Sequence, residues 1–100
     1  MYKRFLRINA NYRDGIAYAL RAELYNEQLE YSKALENDLK YLEFNRSKSE
    51  AYYFCALDYQ NLNDFENTIM YIFLALDYEP DNYNYMTAAK YISLKYTEKG

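Results

Sequence analysis

The sequence contains no histidine, no tryptophan, one cysteine, one proline and two glycines. Without histidine, the chain lacks the side chain that most often serves as a general base or metal ligand near neutral pH. A single cysteine excludes an internal disulfide framework, so a reducing, cytoplasmic setting is expected. The shortage of turn-forming residues disfavours an all-β fold and favours a few long helices.

Several classes of partner are also disfavoured by what is absent. No apolar run approaches the roughly 18 residues of a membrane-spanning helix, and the basic start of the chain lacks the apolar stretch of a secretory signal. A net charge of −3 gives neither the basic stripe that nucleic acid requires nor attraction to an anionic membrane surface. We therefore expect no nucleic-acid partner and no membrane partner.

Aromatic and apolar residues are abundant: 51% of the chain is hydrophobic, and tyrosine alone occurs 15 times. This apolar share is ordinary for a folded domain, so extensive disorder is not expected. Tyrosine combines a large packing surface with one polar group. The composition therefore predicts one small helical domain in which tyrosine is a principal packing residue.

The tetrapeptide ALDY occurs at 56–59 and at 75–78, which suggests an internal repeat. A shift of 19 residues aligns little else, whereas a shift of 34 residues aligns many positions. Identical pairs at this shift include Ala17 and Ala51, Tyr18 and Tyr52, Ala22 and Ala56, Tyr25 and Tyr59, and Leu42 and Leu76. The ALDY pair is therefore a coincidence of letters inside a longer repeat, and Tyr25 and Tyr59 are expected to have similar surroundings.

Each repeat unit is predicted to hold two helices. Large or apolar residues recur at helical spacing over 49–62 and again over 65–79. Asn63 and Asp64 interrupt the pattern, with Asn63 suited to a left-handed turn and Asp64 to capping the second helix. Ser47 and Glu50 have the spacing of a capping box. Pro80 ends the second helix, and Asp81-Asn82 can cap the next.

With these residues, the chain resembles the tetratricopeptide repeat family, whose unit is a 34-residue helix–turn–helix. Positions that carry the resemblance are Tyr52, Ala56, Tyr59, Ala75, Leu76 and Pro80 in one unit, and Tyr18, Ala22, Tyr25, Ala34 and Leu42 in the other. The first of these two units along the chain departs from the pattern at Arg21, Leu29, Asp38 and Arg46.

The resemblance implies an all-α fold, an α-α superhelix (solenoid) of antiparallel helix pairs with about two full repeats flanked by partial ones. The expected boundaries are 1–12 for the second half of a preceding repeat's second helix, 15–48 and 49–82 for the full repeats, and 83–97 for a first or closing helix. Two interpretations of the start stay open: a piece of a longer array, or a short natural cap. Uncapped repeat ends would allow a homodimer.

The resemblance also implies a concave groove lined by the first helices, on the face opposite the packed stripe. The residues expected there are Ala19, Glu23, Asn26, Glu27, Tyr53, Leu57, Gln60, Asn61, Asn84, Thr87 and Tyr91. Carboxamides can bind the backbone of an extended peptide, and Tyr53 and Leu57 offer an apolar anchor. The groove lacks the crowded cations that would hold a free carboxylate, so an apolar or partly basic peptide fits better.

Catalysis is not expected within these residues. Cys55 falls on the packed face of its helix, where a structural thiol is the simplest interpretation, and the two glycines form no phosphate-binding loop. No catalytic residue, metal ligand or cofactor is predicted. The sequence favours a non-catalytic module that binds a protein or peptide. The alternative is a structural or regulatory repeat segment of a larger multidomain protein, with no groove ligand of its own.

Overall fold

A computed structural model of the chain describes residues 15–99, with side chains up to residue 95. This part consists of helices without strands, so the predicted all-α class is confirmed for it. The helices are α1 (Ile16–Glu27), α2 (Tyr31–Phe44), α3 (Ser49–Asn61), α4 (Phe65–Tyr78) and α5 (Tyr83–Lys99). The predicted helical segment 1–12 lies outside the described residues.

The chain divides into two compact units, Met1–Arg46 and Ser47–Gly100. In the first unit, α1 packs against α2, and in the second, α4 packs against both α3 and α5. Short turns join the helices within each unit, so α1–α2 and α3–α4 form helical hairpins. The hairpins lie within residues 15–48 and 49–82, and α5 begins at residue 83. That these segments are repeats of one kind stays a prediction.

The turns inside the two hairpins have the same backbone geometry. Leu29 has φ 63° and Asn63 has φ 62°, and the residues that follow them donate backbone hydrogen bonds of 2.9 Å to the carbonyls of Tyr25 and Tyr59. A left-handed conformation is disfavoured for side chains other than asparagine, aspartate and glycine. The turn is therefore well matched to Asn63 and strained at Leu29.

Helix caps follow the sequence in two of three predicted places. Asp64 accepts a 3.2 Å hydrogen bond from the backbone N–H of Asn67 at the start of α4. Asn82 accepts one of 3.0 Å from the backbone N–H of Tyr85 at the start of α5. The capping box expected from Ser47 is wrong, because α3 begins at Ser49 and its N-cap is therefore Lys48, which makes no side-chain cap bond.

The first hairpin closes on small residues and on several polar ones. Ala17, Ala22 and Ala34 are buried, together with Asp38 and Asn45. The small residues let the two helices approach closely. The Asn45 side chain donates a 3.0 Å hydrogen bond to the Tyr41 carbonyl, which satisfies one of the acceptors left at the end of α2.

Gly15 precedes α1 and has φ 79°. A Cβ atom at this position would lie 2.6 Å from Cδ2 of Phe44, the last residue of α2. The Phe44 ring also stacks with the Tyr18 ring, with 6.1 Å between their centroids. Both the backbone conformation and the available space therefore require glycine where the chain enters α1.

The second unit has an apolar core in which Ile72 of α4 meets Ala56 of α3 and Ala89 and Ile92 of α5. Burial of a side chain such as Ile72 contributes about 1.5–3 kcal/mol to stability. Phe73 belongs to the apolar pattern that was predicted to pack over 65–79, but half of its surface is exposed. Phe73 instead borders the exposed side of α5.

None of the helices between residues 15 and 99 combines the length and the apolar character that crossing a membrane would require.

Candidate functional site

On α3, the predicted groove residues lie along one side of the helix at helical spacing. Tyr53 and Gln60 are half-buried, whereas Leu57 and Asn61 are exposed. The opposite stripe, formed by Tyr52, Ala56 and Tyr59, was expected to pack, and its residues are buried or half-buried. The helix therefore presents one apolar and two carboxamide side chains beside a tyrosine, a combination that can hold the side chains and backbone of a peptide.

On α5, the corresponding residues are all exposed. Asn84, Thr87 and Tyr91 succeed one another at intervals of three and four residues, which places them on one face of the helix. The Lys95 ammonium lies 5.3 Å from the centroid of the Tyr91 ring, within the range of a cation–π interaction. Tyr91 is thus an accessible aromatic side chain held beside a positive charge.

Tyr53 is used partly for internal packing. Its ring lies 4.7 Å from that of Tyr85, centroid to centroid, and the Tyr85 hydroxyl is 3.2 Å from Oγ of Ser49. Burial raises the pKa of Tyr85, while its hydrogen bond with Ser49 acts in the opposite direction. These contacts join α3 to α5 at the end where both helices begin. Tyr53 therefore offers a ligand less surface than the sequence pattern suggests.

In the first unit, the predicted groove residues differ in exposure. Ala19 and Asn26 of α1 are half-buried, and Glu23 and Glu27 are exposed. The two carboxylates are four residues apart, so they share one face of the helix. This unit supplies negative charge at the predicted groove positions, in contrast to the neutral side chains of the second unit.

The first hairpin contains a cleft that the sequence pattern did not predict. It has a volume of about 560 Å³ and is lined by Tyr18, Arg21, Tyr25, Lys33, Glu36, Asn37 and Lys40. Arg21 Nη2 donates a 2.9 Å hydrogen bond to the Tyr25 hydroxyl. The Arg21 guanidinium and the Lys33 ammonium lie 5.3 and 5.7 Å from the Tyr25 ring centroid. The cleft thus has a mainly cationic and aromatic lining.

In the second hairpin, tyrosine rings lie together at the positions equivalent to those that line this cleft. Tyr71 stands 34 positions after Asn37. Its ring centroid is 5.2 Å from that of Tyr59 and 6.4 Å from that of Tyr52. Tyr59 is therefore surrounded by tyrosine where Tyr25 is surrounded by cations. The expectation that Tyr25 and Tyr59 have similar surroundings holds for the backbone and fails for the side chains.

An apolar cavity of about 860 Å³ lies between α4 and α5. Its lining residues are Phe73, Tyr83, Thr87, Ala89, Lys90, Tyr91, Ser93 and Leu94. Thr87 and Tyr91 belong to the predicted groove, whereas Phe73 and Leu94 do not. The signal that could have revealed this surface is the apolar pair Phe73 and Leu94 on helices that are consecutive in the chain.

Among residues 15–99, no group of three or more cysteine, aspartate or glutamate side chains is arranged to hold a metal ion. Cys55 is a buried thiol, as the sequence predicted. The surfaces described above are suited to binding through apolar, carboxamide and charged side chains.

In comparisons with known proteins, no family model matches the chain, and no curated protein matches it. The tetratricopeptide resemblance therefore rests on the residues quoted for it and stays a prediction.

Proposed function

We propose that this chain is a non-catalytic protein-interaction module of tetratricopeptide type, a superhelical solenoid that binds an extended peptide or protein segment along its first helices. The single observation that carries the proposal is the exposure of Leu57 and Tyr91 beside Asn61 and Asn84 on α3 and α5 of the second unit. Exposed apolar anchors among carboxamides are the components of a peptide-binding surface.

The charges suggest the chemistry of the ligand. Glu23 and Glu27 are exposed on α1, and they favour a segment with a lysine or arginine over an acidic one. The second unit supplies no carboxylate among its predicted groove residues, so apolar side chains of the ligand are expected to bind there. A free carboxylate at the end of a peptide has no cluster of cations to meet at these positions.

Selection of peptides against the chain tests this proposal. Displayed peptides of random sequence are selected, and the affinity of the best ones is measured by isothermal titration calorimetry. We expect Leu57→Ala and Tyr91→Ala to weaken binding about tenfold each, since each removes an apolar anchor. Met70→Ala, at an exposed position on α4, is the matched control and should leave the affinity unchanged. If Leu57→Ala and Tyr91→Ala bind the selected peptides as the unaltered chain does, the groove proposal is wrong.

The alternative function is a structural or regulatory repeat segment of a larger protein. It is favoured by the engagement of Tyr53 with Tyr85, because part of the predicted groove is then a packing surface. In this case no peptide that depends on Leu57 and Tyr91 is selected, and replacements at these positions alter neither binding nor stability appreciably.

A further inference from the structure

One face of α5 is apolar and exposed where the equivalent face of α3 is covered. Tyr52 of α3 stacks on Tyr78 of α4 at 5.5 Å between ring centroids, and Ala56 is buried in the core. The residues 34 positions later are Met86 and Lys90, which are both exposed. With Phe73 and Leu94, which are 50% and 62% exposed, they form what we call the α5 face.

Residues 1–10 have the pattern of a helix that would fit such a face. Met1, Phe5 and Ile8 stand 34 positions before Leu35, Leu39 and Leu42, which lie on the second helix of the first hairpin. In the second unit, α4 is a second helix with first helices on two sides, α3 before it and α5 after it. The apolar spacing of residues 1–10 is therefore that of a segment suited to the exposed side of a first helix such as α5.

The same two regions of the sequence carry opposite net charges. Residues 1–14 carry Lys3, Arg4, Arg7 and Arg13 against Asp14, a net charge of +3. Residues 47–100 carry eight carboxylates and four lysines, a net charge of −4. Asp77, Glu79 and Asp81 are exposed at the end of α4 and in the turn after it. The basic segment and the acidic unit are expected to attract each other at low ionic strength.

From these observations we infer that the α5 face binds residues 1–12 of a second copy of the chain. Apolar side chains of the segment enter the cavity beside Phe73 and Leu94, while its basic residues approach the carboxylates around residue 79. Lys90 lines the cavity, so the basic side chains stay outside it. The two contacting surfaces differ, so the contact is heterologous, and copies add head to tail instead of closing as a symmetric dimer. This inference does not depend on peptide binding in the groove.

Analytical ultracentrifugation of the 100-residue chain over a wide range of concentrations tests the inference. The average mass should rise with concentration above the 12.1 kDa of one copy, and high salt should lower it. Leu94→Asp and Phe5→Asp should each weaken association at least about tenfold, because each places a charge in an apolar contact. Met70→Asp, at an exposed position outside the cavity, should leave association unchanged.

A mixture of the two variants identifies the geometry. The Leu94→Asp chain keeps an intact 1–12 segment, and the Phe5→Asp chain keeps an intact α5 face. Mixed together, they should form a one-to-one complex of about twice the single-chain mass and grow no further. Circular dichroism first checks that each variant is folded, and Tyr83→Ser, at a position 76% exposed, replaces Leu94→Asp if that variant is not.

Three results would overturn the inference. In the first, the unaltered chain stays a single copy at every concentration. In the second, Phe5→Asp associates normally while Leu94→Asp does not, which would indicate pairing of two α5 faces. In the third, the mixture of variants would form no complex. Peptide binding is measured separately with Leu57→Ala, so failure of the groove proposal and failure of this association are distinguishable.

Discussion

The hairpins α1–α2 and α3–α4 share a backbone and differ in the side chains that line it. Helices α2 and α4 have equal lengths and start 34 residues apart, and the turns before them hold one residue in the same left-handed conformation, Leu29 or Asn63. Arginine and asparagine line the first hairpin where cysteine and Tyr71 line the second. The comparison teaches that a few small residues and turn positions determine this backbone, while the residues between the helices can change from arginine and asparagine to cysteine and tyrosine.

Exchange of a core residue between the hairpins is expected to have the largest effect. Ile72, which is 1% exposed, stands 34 positions after Asp38. Ile72→Asp should lower the free energy of unfolding by about 3–5 kcal/mol or unfold the second unit, since the carboxylate enters an apolar cluster. Urea unfolding followed by circular dichroism measures the change. Phe73→Asp, at a half-exposed site, should cost roughly 1 kcal/mol. Equal stability of Ile72→Asp and the unaltered chain would show that the two cores tolerate the same residues.

The helix caps provide the second comparison. Asp64→Ala should destabilise the chain by about 1 kcal/mol, because it removes the hydrogen bond to the Asn67 N–H. Glu30 holds the equivalent position in the first hairpin and makes no side-chain cap bond. Glu30→Ala should therefore change stability by less than about 0.5 kcal/mol, and Glu30→Asp should stabilise the chain. Urea unfolding of the three variants measures these differences, and equal losses from both alanine replacements would contradict the prediction.

The turns provide the third comparison, with a gain in stability. Leu29 is left-handed and 70% exposed, so its replacement relieves backbone strain and removes little packing. Leu29→Gly should raise the free energy of unfolding by about 0.5–1 kcal/mol after the greater flexibility of glycine in the unfolded chain is subtracted. Asn63→Gly should be close to neutral, because asparagine tolerates this conformation. Thermal unfolding measures both, and a loss of stability in Leu29→Gly would mean that the Leu29 side chain stabilises the turn.

The fourth and smallest effect concerns pH. Burial first, and then the neighbouring Tyr71, raise the pKa of Tyr59 from 10.0 to about 12. Below pH 10 both the folded and the unfolded chain keep Tyr59 protonated. Between pH 10 and about 12 the unfolded chain ionises first, so Tyr59 makes the free energy of unfolding fall as pH rises. The free energy of unfolding of Tyr59→Phe should fall less steeply over this pH window, as measured by urea unfolding at a series of pH values. A curve parallel to that of the unaltered chain would contradict the prediction.

Local rules foresaw the parts of the fold that depend on neighbouring residues. Asn63 and Asp64 predicted a left-handed turn followed by a cap, and Asn82 predicted the start of α5, because each acts on backbone groups within three residues. The predicted capping box at Ser47 was wrong because the same local pattern is also compatible with a helix that starts two residues later, at Ser49. The cations around Tyr25 could not be foreseen, since their positions depend on which side chains of two helices converge.

The candidate site was foreseen only as a set of positions. The spacing placed Leu57 and Tyr91 on accessible faces of their helices, but it did not reveal that Tyr53 would pack on Tyr85. It also missed the cavity beside Phe73, because a stripe of apolar residues does not indicate which of them another helix covers. Exposure of such residues depends on which neighbouring helices cover them. The residues of one repeat do not indicate how its neighbours pack on it.

The burial of Cys55 allows local opening of α3 to be followed through the reactivity of this thiol. Because it is the one thiol in the sequence and lies fully enclosed in α3, an alkylating reagent can reach it only when α3 moves away from its neighbours. The rate of alkylation therefore measures how often this helix detaches, without any added label.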